Sequence, residues 1–209
     1  MNGIIFDLDG TLWDSTETII KAWNNVFEKR ALTLRITCKL LKTLLGNPNN
    51  EISEYLFKDL TNVDKAELMT ECENEEIIML NKSGGSLYTN LESVLKELCK
   101  THKLYIVSNC QRGYIESFLN YHNFKKYFSD IECQGNTSLP KFENIKYIIK
   151  RNNIKLAVYV GDTIGDLKSS KLLNIPFIYA KYGFGKIEGC EHEISTIDEL
   201  PKLLKEMNI

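Results

Sequence analysis

The chain has 209 residues, enough for one domain or for a core with a modest insert, and long enough to bury a substantial core. Its 26 basic and 28 acidic residues leave a net charge of −2, which argues against a polyanion such as nucleic acid as the main partner. No run of about 18 apolar residues is present to span a membrane.

The first element predicted is a buried strand, Ile4 to Phe6, because a short wholly apolar run fits a parallel sheet covered on both faces. It ends in Asp7-Leu8-Asp9-Gly10-Thr11-Leu12. Side chains alternate along extended backbone, so Asp7 and Asp9 face the same way while Leu8 turns back into the protein. Two carboxylates at the C-terminal end of a parallel strand sit where open α/β sheets bind ligands. Their mutual repulsion calls for a cation between them. The strand begins so close to the N-terminus that no signal peptide is expected ahead of it.

From Trp13 to Lys82 the pattern is helical with no clear strand. Asp14-Ser15-Thr16-Glu17 reads as a helix start of the capping-box type, followed by Ile19, Ile20, Trp23, Val26 and Phe27 at helical spacing. Further helices are predicted over about 36–45, stopped by Gly46 and Pro48, then about 52–60 and 64–80. Lys82-Ser83-Gly84-Gly85-Ser86 has the composition of a flexible joint. A strand crossover needs only about a dozen residues, so this stretch is an inserted helical module, not a connection.

Beyond the joint, helix and strand alternate: a helix at 91–98, a strand at Leu104–Val107 ending in Ser108-Asn109, and a helix from about Gly113 to Tyr121. A short strand at 130–133 and a helix opened by Lys141 follow. Next come a strand at Leu156–Val160 closed by Gly161-Asp162-Thr163-Ile164-Gly165-Asp166, a helix through Leu173, a strand at 177–180 and a last helix near 197–207. The alternation predicts an α/β fold, a doubly wound parallel sheet with right-handed crossovers. The expected units are a Rossmann-like core of residues 1–13 and 84–209 and a helical cap of residues 14–83.

The polar residues at these element ends suit one chemistry. Ser108 and Asn109 offer a hydroxyl and an amide to an anionic oxygen, and Lys141 meets a ligand at a helix start. Asp162 and Asp166 stand one helical turn apart. Each alone has a plainer role: turn chemistry for Ser-Asn, a solvated lysine, a helix cap for Asp162. Taken in order, Asp-x-Asp-Gly-Thr, Ser-Asn, Lys and Gly-Asp-x-x-x-Asp resemble the four motifs of the haloacid dehalogenase-type phosphatases. The helical insert resembles the subclass I cap of phosphoglycolate phosphatase-like members.

The resemblance implies that Asp7 is the nucleophile and Asp9 the general acid/base. It makes Thr11, Ser108, Asn109 and Lys141 the phosphate grip, with Lys141 also neutralising Asp7. Asp7, Asp162 and Asp166 would hold Mg²⁺, together with the backbone carbonyl of Asp9. The activity implied is Mg²⁺-dependent hydrolysis of a small phosphorylated metabolite through an aspartyl-phosphate. Independently, four carboxylates in one cleft cannot all stay ionised without cations, and Mg²⁺ with carboxylate, phosphate and water ligands suits such a pocket.

In a response-regulator receiver the lysine follows the phosphorylated aspartate, on the last strand, whereas here Lys141 precedes Asp162 and the chain is far longer. A dehalogenase proper lacks a carboxylate at the position of Asp9, and a silent phosphate-binding scaffold would be expected to lose a motif residue. A β-phosphoglucomutase-type phosphomutase shares core and cap, but carries a histidine and an arginine where this chain has Ile19 and Asn49, and often valine where it has Thr11. Trp13, Glu17, Lys42 and Asn47 are cap-side candidates for substrate contact, with packing or solvation favoured for each. The six cysteines show no C-x-x-C spacing and read as reduced thiols of a cytoplasmic protein, with Cys110 beside the Ser-Asn motif.

Overall fold

The computed structural model describes residues 2–209. The eight strands and ten α-helices are β1 (Asn2–Phe6), β2 (Trp13–Asp14), α1 (Thr16–Lys29), α2 (Cys38–Leu44), α3 (Asn49–Leu56), α4 (Asn62–Ser83), β3 (Ser86–Leu87), α5 (Leu91–Leu98), β4 (Lys103–Ser108), α6 (Tyr114–Tyr121), β5 (Phe128–Cys133), α7 (Gln134–Thr137), α8 (Lys141–Arg151), β6 (Leu156–Gly161), α9 (Ile164–Leu173), β7 (Phe177–Ala180), β8 (Glu193–Ile194) and α10 (Leu200–Glu206). The expected doubly wound α/β sheet is present: six strands in the order β5-β4-β1-β6-β7-β8, paired in parallel throughout. β1 lies between β4 and β6, and the chain reverses direction across the sheet beside it. That switch point is where ligands settle in such sheets.

Burial on both faces explains the sequence of the central strands. Ile4, Ile5 and Phe6 are wholly inaccessible, as are Ile106, Val107, Val158 and Val160. Ile4 and Phe6 pack on one side of the sheet with the helical insert, whereas Ile5, Tyr105 and Tyr159 pack on the other with Ile145 and Ile148 of α8. The helices α1 to α4 have apolar packing of their own around Trp23, Phe27, Leu41, Phe57 and Cys72, continuous with the sheet's core.

Four local expectations are corrected. The capping box of Asp14 and Glu17 does not form, because Asp14 is fixed in β2 opposite Ser86. Its Oδ1 instead accepts the backbone N–H and hydroxyl of Thr16, and Glu17 turns outward to Lys21. The flexible joint is also an ordered element: α4 runs through Ser83, Gly84 turns at φ +62°, and Ser86–Leu87 pairs antiparallel with Trp13–Asp14. The two chain passages between sheet and helices are thus tied to each other as a two-stranded ribbon. α3 begins at Asn49, directly after Pro48, so that proline starts a helix as well as ending one. The last helix starts at Leu200 after a 3₁₀ turn over Ile197–Glu199, since Pro201 is tolerated only in a first turn. The two-residue strands β2, β3 and β8 and the single turn α7 are too short to leave a periodic signal.

Candidate active site

β1 delivers Asp7 and Asp9 to the C-terminal edge of the sheet. The Asp7 backbone N–H still donates to Val160 O at 2.8 Å, so Asp7 is held by the ladder although its side chain leaves it. Gly10 then turns at φ +80°, and a Cβ there would lie 2.3 Å from Asp162 Oδ2. Only glycine lets the first motif and the last approach this closely.

Asp7 is 1% exposed, and Lys141 Nζ donates to its Oδ1 at 2.9 Å and to Asp166 Oδ1 at 2.7 Å. Lys141 opens α8 directly after Pro140, which sets the helix start facing the sheet edge. Burial opposes the lysine's charge, but Asp166 and Asp7 outweigh it and hold its pKa above the ordinary lysine value. Burial pushes Asp7 well up, with Lys141 opposing and Asp166 and Asp162 adding to the rise. Asp162 is pushed up to about 7, first by burial and then by Asp166.

Asp162 and Asp166 are both wholly buried. Asp162 Oδ2 accepts the backbone N–H groups of Phe184 (2.7 Å) and Gly185 (3.3 Å). The α9 cap is made by other residues than Asp162: Thr163 accepts from Asp166 N, and Asp166 Oδ2 accepts from the Thr163 N–H and hydroxyl. That reciprocal box fixes Asp166 so that its Oδ1 turns inward to Lys141. Carboxylate oxygens of Asp7, Asp162 and Asp166 all lie within 4.8 Å of one another. Three carboxylates and one ammonium in a dry site leave an excess of negative charge. Oxygen-only donors of this kind fit a hard divalent cation.

Asp9 stands apart from that cluster. Its Oδ1 accepts from Ser15 Oγ (2.5 Å) and from the Tyr114 hydroxyl (2.9 Å), and Tyr114 OH also meets Ser15 Oγ at 2.9 Å. Burial pushes Asp9 up to about 6, against the hydrogen bonds of Ser15 and Tyr114. Sequence reading missed both partners. Ser15 looked like part of a helix cap, and nothing in the spacing of Tyr114 relates it to residues a hundred positions earlier.

Ser108, at the end of β4, and Asn109 line the inner pocket with Asp7 and Asp9. Asn109 Nδ2 donates to Gly46 O at 2.9 Å, while its Oδ1 is buried without a partner. Thr11 is wholly buried, its hydroxyl 3.5 Å from Asp162 Oδ1. All eight motif residues therefore gather at one sheet edge.

The inner pocket is roofed by Trp23, Leu41, Leu45, Asn49, Ile52 and Glu76 from α1 to α4 and their turns. Its free volume is about 30 Å³, and it adjoins an open cleft of about 600 Å³. Of the cap-side candidates, Asn47 lines the inner pocket, whereas Trp13 is buried against Tyr114 and Phe118. Glu17 is exposed, and Lys42 pairs with Asp14 at 3.0 Å beside the Phe184 ring. Cys110 lines the inner pocket, and all six cysteines are free.

The profile of the haloacid dehalogenase-like hydrolases matches residues 4–180. The chain belongs to that family. A phosphoglycolate phosphatase from Aquifex aeolicus is 26% identical over 98% of this chain and 97% of its own length. Another from Psychrobacter arcticus is 26% identical over 87% of this chain and 84% of its own. Among solved structures, a haloacid dehalogenase-like family hydrolase from Streptococcus pneumoniae superposes with a TM-score of 0.84 over 97% of both chains at 18% identity, which speaks for the fold. The chain is thus a hydrolase of the phosphatase type. No helix among the described residues is long and apolar enough to cross a membrane.

Proposed function

We propose that this protein is a Mg²⁺-dependent phosphatase that hydrolyses a small phosphate monoester through an aspartyl-phosphate on Asp7. The observation that carries the reading is the charge arrangement at the sheet edge: Lys141 bridges Asp7 and Asp166 while Asp162 completes a trio of buried carboxylates. Asp7, Asp162 and Asp166, with the Asp9 carbonyl, would hold the Mg²⁺, which when bound neutralises phosphate oxygens and the carboxylates around them.

The chain's own groups supply the rest. Asp7 attacks phosphorus in line, displacing the alkoxide, with Lys141 countering the charge on both carboxylate and phosphate. Ser108, Asn109 and Thr11 fix the phosphoryl oxygens, and the unpartnered Asn109 Oδ1 is one sign of a site built for a ligand. Asp9, held by Ser15 and Tyr114, donates its proton to the departing alkoxide. It then takes one from the water that attacks the acyl phosphate, which regenerates Asp7 and releases phosphate. An acid lifted to about 6 exchanges that proton at neutral pH at modest cost.

Residues 14–83 act in this reading as a cap over a core of 1–13 and 84–209. The confined inner pocket requires the roof to lift for substrate entry, and the chain's two crossings between the parts lie in or beside the hydrogen-bonded β2–β3 ribbon. Free cysteines fit a cytoplasmic setting.

The test is phosphate release from p-nitrophenyl phosphate. It should stop with chelator, return with Mg²⁺ and return only weakly with Ca²⁺, whose longer bonds and higher coordination number misplace Asp7. Mass spectrometry of trapped enzyme should find phosphate on Asp7. Metal-independent turnover, or phosphate on another residue, overturns the mechanism.

A further inference from the structure

The roof of the inner pocket contains one ionisable side chain, Glu76, near the middle of α4. It is 4% exposed, and no lysine or arginine among the described residues contacts it. Its well-formed hydrogen bond comes from the Gln111 amide, whose Oε1 in turn accepts from Asn49 Nδ2 at 3.2 Å. Asn49 Nδ2 also donates to Glu73 Oε1 at 2.6 Å. Beside Glu76 stands the indole of Trp23, 2% exposed, whose Nε1 is turned toward the Glu76 carboxyl without closing a well-formed hydrogen bond and which lines the same pocket. A buried carboxyl and a poorly paired N–H donor thus line the same inner pocket as Asp7 and Asp9. Neither is used by the phosphoryl chemistry. Each is expensive to bury unless a ligand completes it.

Resting on the phosphatase reading, we propose that Glu76 and Trp23 select a small ester whose leaving group is a polyol, and that a carboxylate-bearing leaving group such as that of 2-phosphoglycolate is disfavoured. A hydroxyl donates to Glu76 and accepts from Trp23 at once, so it satisfies both groups. A carboxylate cannot donate, and it meets an acid without a compensating cation. Lys141 is already committed to Asp7 and Asp166. Arg112 lines the outer cleft and not the inner pocket. Burial pushes Glu76 up to about 8, so the group exists in both protonation states near neutrality. Either state exchanges hydrogen bonds with a hydroxyl, whereas a carboxylate is tolerated only by the protonated one. The relatives that are phosphoglycolate phosphatases are 26% identical, which leaves room for a different roof.

The experiment compares kcat/KM for sn-glycerol 3-phosphate, erythritol 4-phosphate and 2-phosphoglycolate, with p-nitrophenyl phosphate as a general substrate. The better polyol ester should exceed 2-phosphoglycolate at least tenfold. Glu76→Met should lower that ratio at least tenfold, mainly through KM for the polyol. Glu76→Gln, which keeps a hydrogen-bonding end, should restore most of it, and matched thermal melts exclude misfolding. A preference for 2-phosphoglycolate in the wild type, or an unchanged ratio in Glu76→Met, overturns the proposal. If p-nitrophenyl phosphate turns over and the ratio fails, only the selectivity falls. If no ester is hydrolysed, the phosphatase reading falls with it.

Discussion

The floor of the cleft and its roof differ in how they treat charge. On the floor, each buried carboxylate has defined partners: Lys141 for Asp7 and Asp166, Thr163 for Asp166, Phe184 and Gly185 for Asp162, Ser15 and Tyr114 for Asp9. In the roof, Glu76 has the Gln111 amide, the Trp23 indole turned toward it and no counter-ion, among Leu41 and Ile52. A preorganised, charge-dense floor suits a fixed reaction at phosphorus, because its dipoles and charges need no rearrangement as the transition state forms. An under-satisfied apolar roof suits recognition, since a ligand that completes its hydrogen bonds gains what the empty pocket lacks. Floor substitutions should therefore act on kcat, and roof substitutions on KM, selectivity and stability.

The largest expected effect tests the floor. Asp7→Asn keeps the shape but removes the nucleophile, and turnover of p-nitrophenyl phosphate should fall by about 10⁴-fold or more. Wild-type-like kcat in that variant would break the distinction at its centre. Asp9→Asn should cost roughly 10²–10⁴-fold, the range of acid/base groups, with burst kinetics showing whether attack or hydrolysis is slowed.

Lys141→Met separates charge compensation from chemistry. It leaves Asp7, Asp162 and Asp166 without their ammonium, so urea unfolding in chelator should show a loss of about 3–5 kcal/mol. Saturating Mg²⁺ should recover part of that stability without restoring kcat. Tyr114→Phe is milder: it removes one of two donors to Asp9 and should lower kcat by about tenfold with KM nearly unchanged, as seen in steady-state kinetics.

The smallest effect sharpens the roof. Glu76 binds its proton more tightly folded, at about 8, than at its ordinary value of 4.5. Between those pH values the native state holds more protons than the unfolded chain, so this group makes stability fall as pH rises. Glu76→Gln removes that slope. Its melting temperature relative to wild type should improve from pH 5 to pH 8, by the equivalent of about 1–3 kcal/mol. A flat difference across that range would mean Glu76 is not a desolvated acid.

The floor was legible in the chain because strand ends impose a rule. Asp7 and Asp9 two positions apart, the Ser-Asn pair after four apolar residues and the aspartates four apart after β6 are all local patterns. The fold class and sheet followed from the alternation of apolar runs and helical spacing, with boundaries shifted by a few residues. The Thr163–Asp166 box was equally local, and Thr-x-x-Asp was its available signal. What local patterns misjudged was the joint at 82–86, where glycine composition implied flexibility but pairing with Trp13–Asp14 imposes order.

The sequence by itself determined that Asp7 and Asp9 leave β1 together at the sheet edge, because backbone alternation and parallel topology leave strand-end carboxylates no other place to point. The order of the motifs, through the family they resemble, assigned Lys141, Asp162 and Asp166 to the same site. Only the tertiary structure decided who holds them and what covers them. Tyr114 reaches Asp9 across 105 positions, and Trp23, Asn49 and Glu76 come together from three helices with no shared period. Those partnerships depend on how the helices pack over the sheet. Helical periodicity shows which face is buried, but not which buried residue on one helix meets which on another.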